Sequence, residues 1–117
     1  MTKKHFLLAA LPVVIMAGCA SGPKEIEQGL TPPEYFQRAQ QAVIERNDYD
    51  TALAYYQTVL DQFSNDKQNG VIARYEIAFI YYKQGEFDQA AAGFTEILEI
   101  YDDDDTASEL PAWPPVL

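Results

Sequence analysis

A ten-residue pattern that occurs twice in the chain restricts the fold more than any other feature of the sequence. Residues 47–56 read NDYDTALAYY and residues 85–94 read GEFDQAAAGF, so the second segment follows the first at a constant spacing of 38 residues. A turn residue, an aromatic residue, an alanine and a second aromatic residue occupy matching places in both segments. Such self-similarity indicates that one supersecondary unit is repeated along the chain.

Each unit is predicted to be a pair of helices joined by a short turn. Apolar residues recur three and four positions apart within residues 49–63 and again within residues 87–101, which places them on one helical face. The resulting fold class is all-α, with two helix hairpins. Helices are expected at residues 31–46, at 49–63, from within 64–70 to 84, and at 87–101.

Residues that favour helix ends stand at the predicted boundaries. Thr31 and Glu34 form a capping-box pattern around two prolines. Asp48 is a suitable N-cap for the second helix. Gly85 stands where the third helix should end in a left-handed residue.

The repeated unit resembles the tetratricopeptide repeat, a helix–turn–helix motif, over about residues 31–102. The resemblance implies a small residue where paired helices cross, an aromatic residue beside that crossing and a glycine in the turn. The sequence departs from the family pattern at Arg74, where an aromatic residue is common, and at Gln40, where a small residue is usual. The matching positions are Ala52, Tyr56, Ala78, Tyr81, Gly85, Ala90 and Phe94.

The N-terminus has the features of an export signal. Lys3 and Lys4 precede an apolar run at residues 6–17, which is too short to span a bilayer comfortably. At the end of this run, Met16-Ala17-Gly18-Cys19 resembles the bacterial lipobox. The resemblance implies that the signal is cleaved before Cys19 and that lipid is attached to Cys19. Ala20 replaces the aspartate that retains such lipoproteins at the inner membrane. We therefore expect an outer-membrane lipoprotein on the periplasmic face.

Four segments are expected along the chain. Residues 1–18 are the signal peptide, and residues 19–30 are a lipidated tether that could extend about 35 Å. Residues 31–102 form the two-repeat helical domain. Residues 103–117 are an acidic, proline-rich tail in which three prolines disfavour a helix.

Composition restricts the chemistry available to this protein. The chain has 8 basic and 18 acidic side chains and a net charge of −10, which disfavours binding to nucleic acid. Signal cleavage would remove the sole histidine, and lipidation would consume the sole cysteine. We expect no catalytic residues, no metal site and no cofactor. The run Asp102–Asp105 is interpreted as a solvated acidic cap.

The third helix has a second apolar stripe in addition to its core face. In tetratricopeptide arrays such a stripe tends to line the concave groove, so it predicts a protein-binding surface rich in aromatic anchors. Packing against the first repeat, the tail or the tether is the alternative explanation. This aromatic stripe consists of Ile72, Tyr75, Phe79 and Tyr82.

Two repeats are few for a stacked array, which usually needs about three units for independent stability. The outer face of the last helix should therefore be covered. The tail with Trp113, a second copy in a homodimer, or a protein partner could each cover it.

A lipobox followed by repeats at this spacing resembles the BamD group of outer-membrane assembly lipoproteins. That resemblance implies a periplasmic scaffold that binds the barrel-assembly protein, although family members usually have about five repeats. The alternative is a tetratricopeptide adaptor lipoprotein for another envelope complex, in transport or in cell-wall synthesis and division.

Overall fold

The structure, a computed structural model, describes residues 25–110 of the chain. These residues form two helix hairpins that pack side by side. The first hairpin packs α1 on α2, the second packs α3 on α4, and α2 packs on α3. No strand occurs within this part, so the predicted all-α fold with two hairpins is confirmed. The helices are α1 (Pro32–Arg46), α2 (Tyr49–Gln62), α3 (Lys67–Lys83), α4 (Phe87–Asp102) and the short α5 (Asp104–Ala107).

Side-chain caps fix the starts of the first three helices. The Glu34 carboxylate accepts hydrogen bonds of 2.8 Å from the backbone N–H and the hydroxyl of Thr31. These bonds lower the pKa of Glu34. Asp48 accepts from the Thr51 N–H at 3.1 Å, and Asp66 accepts from the Asn69 N–H at 3.0 Å. Each cap satisfies a backbone donor that has no partner within its helix.

The two hairpin turns use the same backbone conformation at matching positions. Asn47 follows α1 with φ of 52°, and Gly85, the residue 38 positions later, has φ of 79°. Asparagine and glycine are the residues that tolerate this left-handed region best. The Asp48 N–H then donates to the Ala42 carbonyl, and the Glu86 N–H donates to the Tyr81 carbonyl, both at 2.9 Å. The left-handed residue therefore recurs with the repeat, although the hydrogen bonds differ, because the acceptor lies six residues before Asp48 and five residues before Glu86.

The core combines a few large side chains with many alanines. Small residues allow the helices to approach closely, and Tyr35, Tyr56, Val59 and Ile97 fill the remaining space. At the crossing of α3 and α4, a Cβ placed on Gly93 would stand 2.9 Å from the Ala78 Cβ. The buried alanines are Ala39, Ala42, Ala52, Ala73, Ala78 and Ala90.

Residues 25–30, which were predicted to belong to a free tether, pack on the first hairpin. The side chains of Ile26 and Leu30 lie against its core. Glu27 forms a 2.8 Å ion pair with Arg38, and its N–H donates to the Tyr55 hydroxyl at 3.3 Å. The helical domain therefore begins before Thr31, because two apolar residues four positions apart gain by covering the edge of α1 and α2.

The first part of the predicted tail contains a helical turn, although a helix was not expected there. Asp104–Ala107 make one helical turn, and the following residues return to the start of α3. There Lys67 forms a 2.8 Å ion pair with Glu109, and the Gln68 side chain donates to the Glu109 carbonyl at 3.2 Å. Trp113 lies outside the described residues.

Candidate protein-binding groove

The aromatic stripe on α3 is a continuous row of partly exposed rings. Tyr75 and Phe79 stack with their ring centroids 6.3 Å apart, and Phe79 and Tyr82 stack at 6.2 Å. Phe79 is 38% exposed and Tyr82 is 54% exposed, whereas Tyr75 and Ile72 are half-buried. The first repeat and residues 25–30 thus leave part of this stripe uncovered.

The stripe has two sides that face different helices. Tyr75 contacts Phe94 at 5.7 Å and Tyr82 contacts Phe87 at 5.8 Å, so both lean towards α4. Phe79 instead lines a cleft on the side of α1. The predicted groove residues therefore do not all line one pocket, and Phe79 connects the two sides.

The cleft between α1 and α3 has a volume of about 110 Å³ and mainly apolar walls. The more exposed of its two exposed large apolar wall residues is Ile44, which is 82% exposed near the end of α1. An isoleucine in solvent at the mouth of an apolar cleft is a suitable contact for a partner's side chain. The cleft is lined by Gln40, Val43, Ile44, Tyr49, Tyr56, Glu76, Phe79, Ile80 and Lys83.

Glu76 supplies a carboxylate to this apolar cleft. Burial raises the pKa of Glu76, and no Lys or Arg within residues 25–110 forms an ion pair with it. Burial, with a smaller contribution from the Glu76 charge, also raises the pKa of Tyr56. Lys83, which also lines the cleft, forms no ion pair with Glu76, and its ammonium group lies over the Phe79 ring, 5.5 Å from the ring centre. A cationic group from outside would find a poorly solvated acceptor here.

Sequence reasoning identified Phe79 but missed Ile44 and Glu76 as cleft residues. Ile44 directly follows Val43, which the cleft also uses, so a wide apolar face at the end of α1 was the available signal. Gln40, which departs from the repeat pattern, also lines the cleft. Its equivalent in the second repeat is Ala78. Glu76 gave no signal, because an acidic residue on a helix usually faces solvent.

The residues of the predicted repeat signature mostly serve packing. Tyr81 and Phe94 are half-buried beside the α3–α4 crossing. A side chain at position 85 would meet no neighbouring atom, so space does not require glycine there. The positive φ of Gly85 does. Gly93 leaves room for the Ala78 side chain at this crossing, although the sequence analysis did not single it out. The signature residues that are fully buried are Ala52, Tyr56, Ala78 and Ala90.

The described part of the chain gives no support for bound metal or for a membrane-spanning helix. Within residues 25–110 no three His, Cys, Asp or Glu side chains are grouped so that they could hold a metal ion. Over the same range, every helix is too short or too polar to cross a bilayer. Cys19, the predicted lipidation site, lies outside the described residues.

The stacked hairpins and the aromatic cleft between their first helices define a helical-repeat protein built for protein–protein contact. The tetratricopeptide repeat profile matches residues 43–112, which is more than half of the chain. The chain therefore belongs to the tetratricopeptide repeat family, whose fold serves as a scaffold for protein interactions and is generally not enzymatic.

A related protein occurs in Treponema pallidum (strain Nichols), where it is described as uncharacterized. The two are 34% identical over 107 residues, which cover 90% of this chain and 42% of the relative. The chain thus spans less than half the length of the curated relative it matches. No solved structure shows significant similarity to the chain.

Proposed function

We propose that this protein is a lipid-anchored periplasmic scaffold that binds a protein partner in the cleft between α1 and α3. The observation that carries the proposal is the exposure of Ile44 and Phe79 at the mouth of that cleft, at 82% and 38%. Aliphatic and aromatic side chains held by rigid helices lose little entropy when a partner covers them. A partner segment that inserts one apolar side chain would bury both.

The cleft also suggests what the partner segment carries. Its walls suit an aliphatic stem, and the unpaired carboxylate of Glu76 suits a cationic head group. The net charge of −10 would attract a basic segment from a distance. A lysine or arginine beside an apolar residue is therefore the sequence we expect in the bound segment.

Anchoring is proposed through lipid on Cys19. Since residues 25–30 pack on the first hairpin, only the segment between Cys19 and Glu25 would link the lipid to the folded domain. At about 3.3 Å per residue, that link would reach about 20 Å. The groove would then act close to the membrane surface, which suits a partner that is itself embedded in the outer membrane.

The barrel-assembly machinery is the proposed setting, in a role like that of the BamD group. The supporting features are the order of the segments, from lipobox to short link to repeats, and the spacing of 38 residues between the repeats. An adaptor role in another envelope complex, in transport or in cell-wall synthesis and division, is the alternative.

A photocrosslinking experiment in intact cells tests the proposal. A benzophenone amino acid at position 44 should crosslink one envelope protein, whereas the same group at Gln57, exposed on α2, should not. Recovery of a barrel-assembly protein supports the first setting, and recovery of a transport or cell-wall component supports the alternative. Equal products from both positions would contradict binding in the cleft.

Replacing the lipobox cysteine tests the anchor separately. The Cys19→Ser variant should leave the membrane fraction and appear in the soluble periplasm. If it stayed with the outer membrane in the same amount, the lipid anchor would be wrong, although binding in the cleft could still hold.

A further inference from the structure

Equivalent residues of the two repeats differ strongly in exposure. In the first repeat Tyr56 is only 2% exposed, and Tyr49 and Leu60 are half-buried. The residues 38 positions later form one face of α4, which we call the stacking face. The stacking face consists of Phe87, which is 63% exposed, Leu98, which is 60% exposed, and the half-buried Phe94.

The cause of this difference is α3. It packs against α2, and its residues Ile77 and Ile80 belong to the same apolar cluster as Tyr56 and Leu60. Within residues 25–110 no helix has the corresponding position on α4. The stacking face is therefore a second copy of a surface that, in this same molecule, binds a helix.

The described residues that follow α4, up to Leu110, run to the opposite side of that helix. Leu110 lines a cleft with Ile100 and with Phe63, the residue that follows α2. Ile100 stands two residues after Leu98, which at 100° per residue places it about 200° around α4 from the stacking face.

Charge indicates what kind of helix fits. Glu99 and Asp102 follow Asp88 by 11 and 14 positions, so helical periodicity places the three along one edge of the stacking face. All three side chains are exposed. A second copy of this chain would bring another net charge of −10 to that edge. A helix with lysine or arginine along its own edge would instead meet opposite charge.

We propose that the stacking face binds an amphipathic α-helix of a partner protein, packed as α3 packs on α2 and carrying basic residues along one edge. Phe87 and Phe94 contact the α4 side of the aromatic stripe, whereas the cleft lies on its α1 side, so the stacking face shares no lining residue with the cleft between α1 and α3. The protein would then hold one partner segment in the cleft and a helix on the stacking face.

The test uses a synthetic helix of known sequence. The probe is a peptide of residues 66–85, which contains α3 with its caps, held helical by a side-chain lactam bridge. Lys67 and Arg74 lie seven positions apart on one edge of α3, so one version pairs the native Lys67 with Arg74→Lys, and the other carries Lys67→Glu and Arg74→Glu. Fluorescence anisotropy of each labelled peptide is measured against the full chain.

The lysine version should bind about tenfold more tightly than the glutamate version at low salt, and this preference should shrink as salt is added. Leu98→Asp and Phe87→Ser should each remove binding. Ala92→Asp is the matched control, because Ala92 is exposed on the other side of α4. This variant should bind the peptide like the wild type. Circular dichroism checks that each variant keeps its helices.

Four outcomes of the peptide experiment would overturn the proposal. They are equal affinity for the two peptides, no saturable binding at millimolar peptide, unchanged binding to Leu98→Asp, and binding that appears only after residues 111–117 are deleted. A stable dimer that Leu98→Asp dissociates would assign the stacking face to a second copy, which also contradicts it.

Discussion

The Ala78 Cβ lies 2.9 Å from the position that a Cβ on Gly93 would occupy, and this contact sets how closely α3 approaches α4. Real Cβ atoms do not come this close, so an added methyl group would push the helices apart. The equivalent residues of the first repeat are Gln40 and Tyr55, so the helices of the first hairpin cross with larger side chains at these two positions.

Gly93→Ala should therefore destabilise the domain although alanine favours helices. Overpacking costs about 1–3 kcal/mol, and the gain in helix propensity returns about 1 kcal/mol. We expect a net loss of about 1 kcal/mol in urea unfolding. Gly70→Ala in α3 is the matched control, because its nearest neighbour is a Leu60 methyl group at 4.0 Å. That control should gain stability, and an equal gain for Gly93→Ala would refute the close crossing.

The two turn residues give a second prediction. Gly85→Ala forces alanine to a φ of 79° and should cost about 1 kcal/mol. Asn47→Gly, at the matching turn of the first repeat, should be neutral or slightly stabilising because glycine adopts that conformation more readily. Thermal melts of both variants measure the difference. A loss for Asn47→Gly as large as that for Gly85→Ala would contradict the claim that the left-handed backbone conformation determines the residue at both turns.

Residues 25–30 should contribute to stability in proportion to the surface they cover. Ile26→Ser removes a half-buried side chain from the edge of the first hairpin and should cost about 1 kcal/mol. Ile44→Ser changes a side chain that is 82% exposed and should leave the melting temperature unchanged. A tether that did not pack on the domain would show no effect for either.

Two carboxylates should respond to pH in opposite directions. The pKa of Glu34 is lowered by its bonds to Thr31, so its contribution is complete above the ordinary value of 4.5 and is lost as the pH falls through the lowered value. The pKa of Glu76 is raised by burial, so the folded state binds this proton more tightly and the penalty of its charge disappears as the pH falls.

Glu76→Gln should accordingly raise stability at pH 7 and remove that part of the pH dependence. The matched control is Glu45→Gln on the exposed side of α1, which should change neither. Urea midpoints between pH 4 and pH 8 provide the measurement. If both variants behaved alike, the Glu76 carboxylate would be solvated and not held in the cleft.

Local signals made much of this fold predictable. Thr31 with Glu34, Asp48 and Gly85 act through neighbours in sequence, and the helices end within one or two residues of where those signals place them. Contacts between distant segments were not predictable. The packing of Ile26 and the approach of Gly93 to Ala78 depend on how the hairpins meet, and no local pattern encodes that.

The groove was predictable only in part for the same reason. The spacing of the aromatic stripe identified Phe79, but the sequence could not show that Tyr75 and Tyr82 lean towards α4. The position of Glu76 in the wall of the cleft follows from the angle between α1 and α3, which becomes visible only in three dimensions.

The most direct test of the central claim is the amount of partner captured by Phe79→Ala, measured together with its melting temperature. Phe79 is 38% exposed, so we expect the variant to keep most of its stability and its helical signal. Crosslinking from position 44 should nevertheless fall by about tenfold relative to an otherwise wild-type chain, as for an interface anchor. Undiminished capture by a folded Phe79→Ala variant would contradict binding in the cleft between α1 and α3.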